Sequence, residues 1–146
     1  MKLQSILVAG IFALTTGSAA IAQPSQEAFV EDMFAAFNAH DVEKLKTFYA
    51  EDAVVYAPEA CEPTIGRDAI GASYAEMFEQ IPDIHDELEV VVTEGSRTAV
   101  IFTASSKAPG YEFQLPIAAF LTIENGQVVE DRVFFNSDMD IDCSDS

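Results

Sequence analysis

The stretch Gly126-Gln127-Val128-Val129-Glu130-Asp131-Arg132-Val133-Phe134-Phe135-Asn136 decides how the rest of this chain is read. With Asn125 before it, it opens on an Asn-Gly pair of the kind a type I′ hairpin turn favours, then alternates with period two. One phase of the predicted strand carries Val129, Asp131, Val133 and Phe135; the other carries Glu130, Arg132, Phe134 and Asn136. Asp131 therefore falls on the more apolar phase, where an ionised carboxylate is costly unless paired or hydrogen-bonded. An acid held there tends towards a raised pKa, which suits proton transfer near neutral pH. Two other readings stay open: a bulge that flips the phase, or an arginine across the sheet that pairs with Asp131.

Immediately upstream the texture is also that of strands. Residues 84–94, 98–105 and 112–124 are separated from each other and from 127–136 by Glu94-Gly95-Ser96, Pro109-Gly110 and Asn125-Gly126, which predicts an antiparallel meander. Centres such as Val90-Val91-Val92 and Ile117-Ala118-Ala119-Phe120-Leu121 are apolar on both phases. Both faces of the sheet are thus expected to be covered, one by helices and the other by a second copy of the chain in a homodimer. His85 shares a phase with Glu87 and Glu89, which argues for an exposed face.

Further upstream, helices are predicted. Residues 24–39 place Phe29, Met33 and Phe37 at a spacing of four, with Val30 and Phe34 beside them. Asp41 is a candidate N-cap for a short second helix through Phe48 and Tyr49, and His40 is read as a turn residue. Residues 53–57 read as a short strand stopped by Pro58, and Asp68 as the cap of a third helix bearing Ile70, Tyr74, Met77, Phe78 and Ile81. The outcome is an α+β domain: a curved antiparallel sheet wrapped around three N-terminal helices, with a hollow at its open end.

The first 22 residues read as an export signal rather than as part of the fold. Lys2 supplies the positive start, residues 6–14 the apolar run, and Ala20-Ile21-Ala22 the small-residue cleavage site. The apolar run is too short for a membrane span. The expected product, beginning at Gln23, is exported to the periplasm or the medium.

Of the 146 residues, 25 are acidic and 7 basic, a formal net charge of −18. Such a chain repels nucleic acid and anionic lipid, and no basic stripe offsets this. Cys61 and Cys143 are the only cysteines, and an oxidising compartment makes a single disulfide the natural pairing. It would tether the acidic tail, residues 138–146, to the loop after the first strand, and closing so long a loop is worth about 4 kcal/mol.

The two histidines, His40 and His85, belong to no metal-spaced cluster, so no metal site is expected. No nucleophile elbow, phosphate loop or dinucleotide fingerprint is present, so no cofactor is expected either. What remains is acid/base work by carboxylates and phenols, or binding without catalysis.

The runs Phe37-Asn38-Ala39-His40-Asp41, Phe48-Tyr49-Ala50-Glu51-Asp52-Ala53, Gly66-Arg67-Asp68-Ala69-Ile70 and Asn125-Gly126-Gln127-Val128 resemble the SnoaL-like branch of the nuclear transport factor two-like superfamily. The resemblance covers residues 23–137 and implies a cone-shaped, cystatin-like roll. Aligned with the ketosteroid isomerases of that superfamily, Tyr49 and Tyr74 match pocket tyrosines. The isomerase's base would fall on Ala57 and its oxyanion donors on Met33 and Ala118, so ordinary ketosteroid isomerase activity is not implied.

The resemblance also puts Asp131, Val133 and Phe135 on the pocket phase, with Met33, Phe37, Val55, Ala57, Tyr74, Ala118 and Phe120 as further wall residues. By likeness to SnoaL-like cyclases, Asp131 would be the acid/base, Tyr74 its orienter and Tyr49 a weaker contributor. The implied activity is a cofactor-free isomerase, cyclase or lyase reaction on a small apolar molecule; the alternative is a non-catalytic ligand-binding or dimeric assembly module.

Overall fold

A computed structural model of the chain describes residues 25–136. The expected export signal at 1–22, the acidic tail at 138–146 and Cys143 lie outside the described residues.

Helix α1 (Gln26–Asn38) begins where Ser25 caps it, its Oγ accepting the Ala28 N–H at 3.2 Å. Its inner face is the expected one, Phe29, Val30, Met33, Phe34 and Phe37, joined by Ala36. A left-handed residue, His40 at φ 53°, turns the chain into α2 (Val42–Thr47), which Asp41 caps through the Lys44 N–H. The sequence suggested that this helix runs through Phe48 and Tyr49, but it ends at Thr47, and Tyr49 starts strand β1 (Tyr49–Tyr56), where it pairs with Val128 and its ring is buried. A two-residue strand β2 (Thr64–Ile65) follows.

Helix α3 (Arg67–Gln80) is entered through Gly66 at φ 95°, a conformation that disfavours a side chain. Asp68, expected as the cap, sits instead inside the first turn and pairs with Lys46 Nζ at 2.8 Å. The meander then runs β3 (His85–Glu94), β4 (Arg97–Ser106), β5 (Phe113–Glu124) and β6 (Gln127–Phe134). The turn into β6 is of the predicted kind, with Asn125 at φ 51° and Gly126 at φ 74°.

The six strands form one curved, unclosed sheet in the order β2-β1-β6-β5-β4-β3. The α+β architecture is as expected, with one addition: β1 lies parallel to β6, which makes β6 a central strand rather than the end of the meander. The helices cover one face of the sheet, and the core between them includes Val30, Leu45, Tyr49, Val100, Leu121 and Val128.

Two of the antiparallel pairings carry an extra residue. In β6, Thr122 pairs with Glu130 and Ile123 with Val128, so Val129 is unpaired and the inward phase shifts there. Val128 is fully buried, and three positions later Asp131 is buried as well. The alternation read from Asp131 onward holds, but its extension back to Val129 does not. In β3 the same device falls at Glu89, between the paired positions Leu88 and Val90. Ile84, Asp86 and Leu88 turn inward before it, while Val90 and Val92 stay exposed after it.

The far face of the sheet shows Val90, Val92, Ile101, Phe120 and Phe134 to solvent, with the rings of Phe120 and Phe134 edge to face at 5.8 Å. Phe29, packed edge to face on Phe48 at 5.2 Å, instead ties α1 to the chain entering β1. Replacing it, Phe29→Ala, should cost about 3–5 kcal/mol in urea unfolding while leaving the cavity wall described below unchanged.

Candidate functional site

Between the helices and the inner face of the sheet lies a cavity of about 480 Å³. Most of its wall is apolar or aromatic, including Phe34, Phe37, Phe102, Phe113 and Ile117, and among the described residues no lysine, arginine or histidine lines it. Among the described residues no helix is long and apolar enough to cross a membrane, and no group of three or more His, Cys, Asp or Glu side chains could hold a metal ion.

Asp131 enters this cavity from β6 and is 5 % exposed. Its Oδ2 accepts the Tyr49 hydroxyl at 3.3 Å, and its Oδ1 is buried with no hydrogen-bond partner. Tyr49 OH in turn lies 2.7 Å from Tyr74 OH. With Asp131 ionised, Tyr49 donates to the carboxylate and Tyr74 to Tyr49; with Asp131 protonated, the same three groups can hydrogen-bond in the reverse sense.

Burial pushes the Asp131 carboxyl up from its ordinary 3.8 to about 7, against the smaller opposing effect of the Tyr49 hydrogen bond. Burial also raises both phenols: Tyr49 lies well above its ordinary value, with Tyr74 and Asp131 adding to the rise, and Tyr74 is raised by burial and then by Asp131. Both therefore remain protonated donors at neutral pH. Neither arginine in reach clamps the acid. Arg67 Nε donates to the Tyr49 carbonyl at 2.7 Å, and Arg132 pairs with Glu130 and stacks on the Tyr56 ring.

The Tyr49 carbonyl also accepts from Gln127 Nε2 at 3.2 Å, so β1 is pinned from α3 and from β6 at the residue whose hydroxyl meets Asp131. Tyr74 is held by edge-to-face contact with Phe37 at 5.8 Å and by stacking on Phe78. Of the two phenols, Tyr49 is thus the one in direct contact with the Asp131 carboxyl, and Tyr74 reaches it through the Tyr49 hydroxyl.

Of the wall residues expected from the sequence, Met33, Phe37, Val55, Ala57, Val133 and Phe135 do line the cavity. Ala118 and Phe120 do not. The inward phase of β5 is Ile117, Ala119 and Leu121, and Phe120 stands on the opposite face, 53 % exposed. A strand apolar on both phases gives no signal for which one faces in, and only the pairing with β4 and β6 sets it. Cys61 lies in the loop after β1, and its expected partner Cys143 is outside the described residues.

Asp86 is the residue the sequence reading missed. It lines the same cavity from β3, is 8 % exposed, and its Oδ1 is likewise buried without a partner. Burial alone raises its carboxyl from 3.8 to about 7. Embedded in His85-Asp86-Glu87-Leu88-Glu89, it looked like part of a solvated acidic face. The available signal was its period-two spacing between Ile84 and Leu88.

A SnoaL-like domain model matches residues 30–131. Comparison with curated proteins finds no match. Among solved structures, an NTF2-like protein of unknown function from Cytophaga hutchinsonii is similar with a TM-score of 0.67 at 14% identity, over 80% of this chain and 95% of that one. An uncharacterised cystatin-fold protein from Novosphingobium aromaticivorans aligns with a TM-score of 0.69 at 17% identity, over 77% and 99%. IdmH from Streptomyces antibioticus, provisionally described as a polyketide cyclase, aligns with a TM-score of 0.68 at 18% identity, over 75% and 91%. At these identities the likeness establishes the fold.

A carboxyl whose folded value lies near 7 and whose unfolded value lies near 3.8 destabilises the fold only once it must ionise. The effect is absent below about pH 4, grows through the interval and is complete above about pH 7. For a rise of this size it amounts to about 4 kcal/mol per group. Relative to wild type, Asp131→Asn should therefore gain stability between pH 5 and pH 8 in denaturant titrations. A difference that stays constant across that interval would show that the carboxyl is not desolvated.

Proposed function

The chain belongs to the SnoaL-like family, and on that footing we propose that it binds a small apolar molecule in the cavity and acts on it by acid/base chemistry at Asp131, without a cofactor. The observation that carries this reading is the Asp131 Oδ1: a buried carboxyl oxygen with no protein partner, on the wall of a largely apolar hollow.

The chemistry that suits this arrangement is an isomerisation, cyclisation or elimination that begins by loss of a proton next to a carbonyl. The ionised carboxyl takes the proton from carbon, the electron pair moves onto the carbonyl oxygen, and the carboxyl can return the proton at another atom. A pKa near 7 leaves both forms populated at neutral pH, as that cycle requires. Tyr49 holds the carboxyl in place throughout, and the apolar wall excludes water that would quench the intermediate.

The outer sheet face favours one further element of the reading. Its exposed phenylalanines and branched residues match a homodimer interface, which hides apolar surface that water would otherwise meet. In the non-catalytic alternative, that face assembles the protein and the cavity only carries its ligand. Export after cleavage near Ala22, to the periplasm or the medium, and a Cys61 to Cys143 disulfide complete the proposal.

Native mass spectrometry of protein from its own host should find a small apolar molecule bound. Once that molecule is known, Asp131→Asn should lower turnover by at least about 100-fold with binding largely retained. Unchanged turnover would remove Asp131 from the chemistry. For assembly, Phe120→Lys with Phe134→Glu should convert the dimer to monomer in sedimentation velocity without changing the far-ultraviolet circular dichroism.

A further inference from the structure

Asp86 has no task in the chemistry just described, yet it is positioned with as much care as Asp131. Asn38, at the end of α1, reaches over to the start of β3 and grips its backbone on both sides: Nδ2 donates to the Asp86 carbonyl and Oδ1 accepts the Asp86 N–H, each at 2.8 Å. Two residues on, His40 Nε2 donates to the Ile84 carbonyl at 3.1 Å while its ring stacks on Phe78 at 4.2 Å. The run Phe37-Asn38-Ala39-His40 is therefore the clamp that fixes the first turn of β3.

Behind that clamp, the extra residue at Glu89 lets Asp86 face the cavity although Val90 and Val92 face out. The strand is thus held from one end and rephased at the other, with the carboxyl between. Its Oδ1 nonetheless meets no protein donor. A buried carboxyl oxygen left unmatched is unfavourable, and a core that needed only volume there would take a leucine. Among the described residues no cation balances it: burial is the sole cause of its raised value, and Tyr74 feels both carboxyls.

We propose that Asp86 is a second ligand-binding residue of the cavity, and that the ligand is an apolar molecule presenting a hydroxyl group to Asp86 as well as a polar group to Asp131. This rests on the ligand-binding reading above and extends it to the class of ligand. A hydroxyl fits better than the other common groups because the carboxyl is near its midpoint at neutral pH. An ammonium can only donate, and a carbonyl can only accept; a hydroxyl does both without carrying a charge into the apolar hollow and so matches either protonation state. Anionic ligands are disfavoured, since among the described residues the wall offers three carboxyls, Glu59, Asp86 and Asp131, and no lysine, arginine or histidine.

The test uses 2-naphthol, its methyl ether 2-methoxynaphthalene, and 1,5-, 2,6- and 2,7-dihydroxynaphthalene, whose oxygens span different distances. Binding is read from probe fluorescence on the full exported chain. In wild type at least one diol should bind about tenfold more tightly than 2-naphthol. In Asp86→Leu that advantage should vanish, 2-naphthol, whose single oxygen Asp131 can still serve, should lose less affinity than the diol, and the thermal midpoint should be equal or higher, because an unmatched carboxyl has been removed.

A diol advantage that survives Asp86→Leu, or that no diol shows in wild type, overturns the assignment while leaving the cavity's role as an apolar site intact. If 2-naphthol and its methyl ether both fail to bind wild type, the ligand-binding reading fails first and this inference with it. Should Asp86→Leu not fold, Asp86→Ala and Asp86→Asn are read in its place. Ala must lose the diol advantage and Asn, which still accepts and donates, must keep most of it; the same affinity ratio in both counts against the assignment.

Discussion

The unpaired residue Val129 sets the orientation of everything that matters on β6. Because it takes up a place on one strand without an opposite number on β5, Val128 and Asp131, three residues apart, both turn inward. A regular strand anchored by Val128 in the core would instead send Glu130 and Arg132 inward, and those two would then be buried in an apolar hollow. Burying an unsolvated charge costs far more than the ladder irregularity that a bulge introduces. In the observed register Glu130 and Arg132 pair with each other on the outer side, and the arginine lies over Tyr56.

The parallel pairing of β1 with β6 follows from the same place. Val55 lies beside Asp131 in that register, and Tyr49, at the far end of β1, is buried where its hydroxyl meets the acid. Arg67 and Gln127 hold the carbonyl of Tyr49, so the residue that orients the carboxyl is itself fixed through its backbone. A hydrogen bond to the acid opposes the effect of burial but does not cancel it. The acid therefore remains able to gain and lose a proton near neutrality, which a guanidinium partner would have prevented by holding it ionised.

The cavity has a second buried carboxyl because β3 repeats the device. An extra residue at Glu89 and a side-chain clamp from Asn38 leave Asp86 facing the hollow from a different strand. Two desolvated acids in one cavity make the fold less stable above neutral pH than it would be with apolar residues in their places. That cost, set in a largely apolar interior, supports the proposal that the hollow serves a ligand.

The sequence by itself determined the α+β class, the inner face of α1, the Asn125-Gly126 turn and the inward phase from Asp131 to Phe135, because each depends on local periodicity or on a backbone conformation few residues adopt. It also brought Tyr49 and Tyr74 into view through resemblance. Only the tertiary structure decided that Tyr49 begins a strand, that β1 runs parallel to β6, that Ala118 and Phe120 face away from the cavity, and that Asp86 faces into it. Those outcomes rest on which strand lies beside which and where a register slips. Pairing between residues far apart in the chain leaves no periodic trace in either partner, and an aspartate among glutamates looks solvated until a neighbouring strand closes over it.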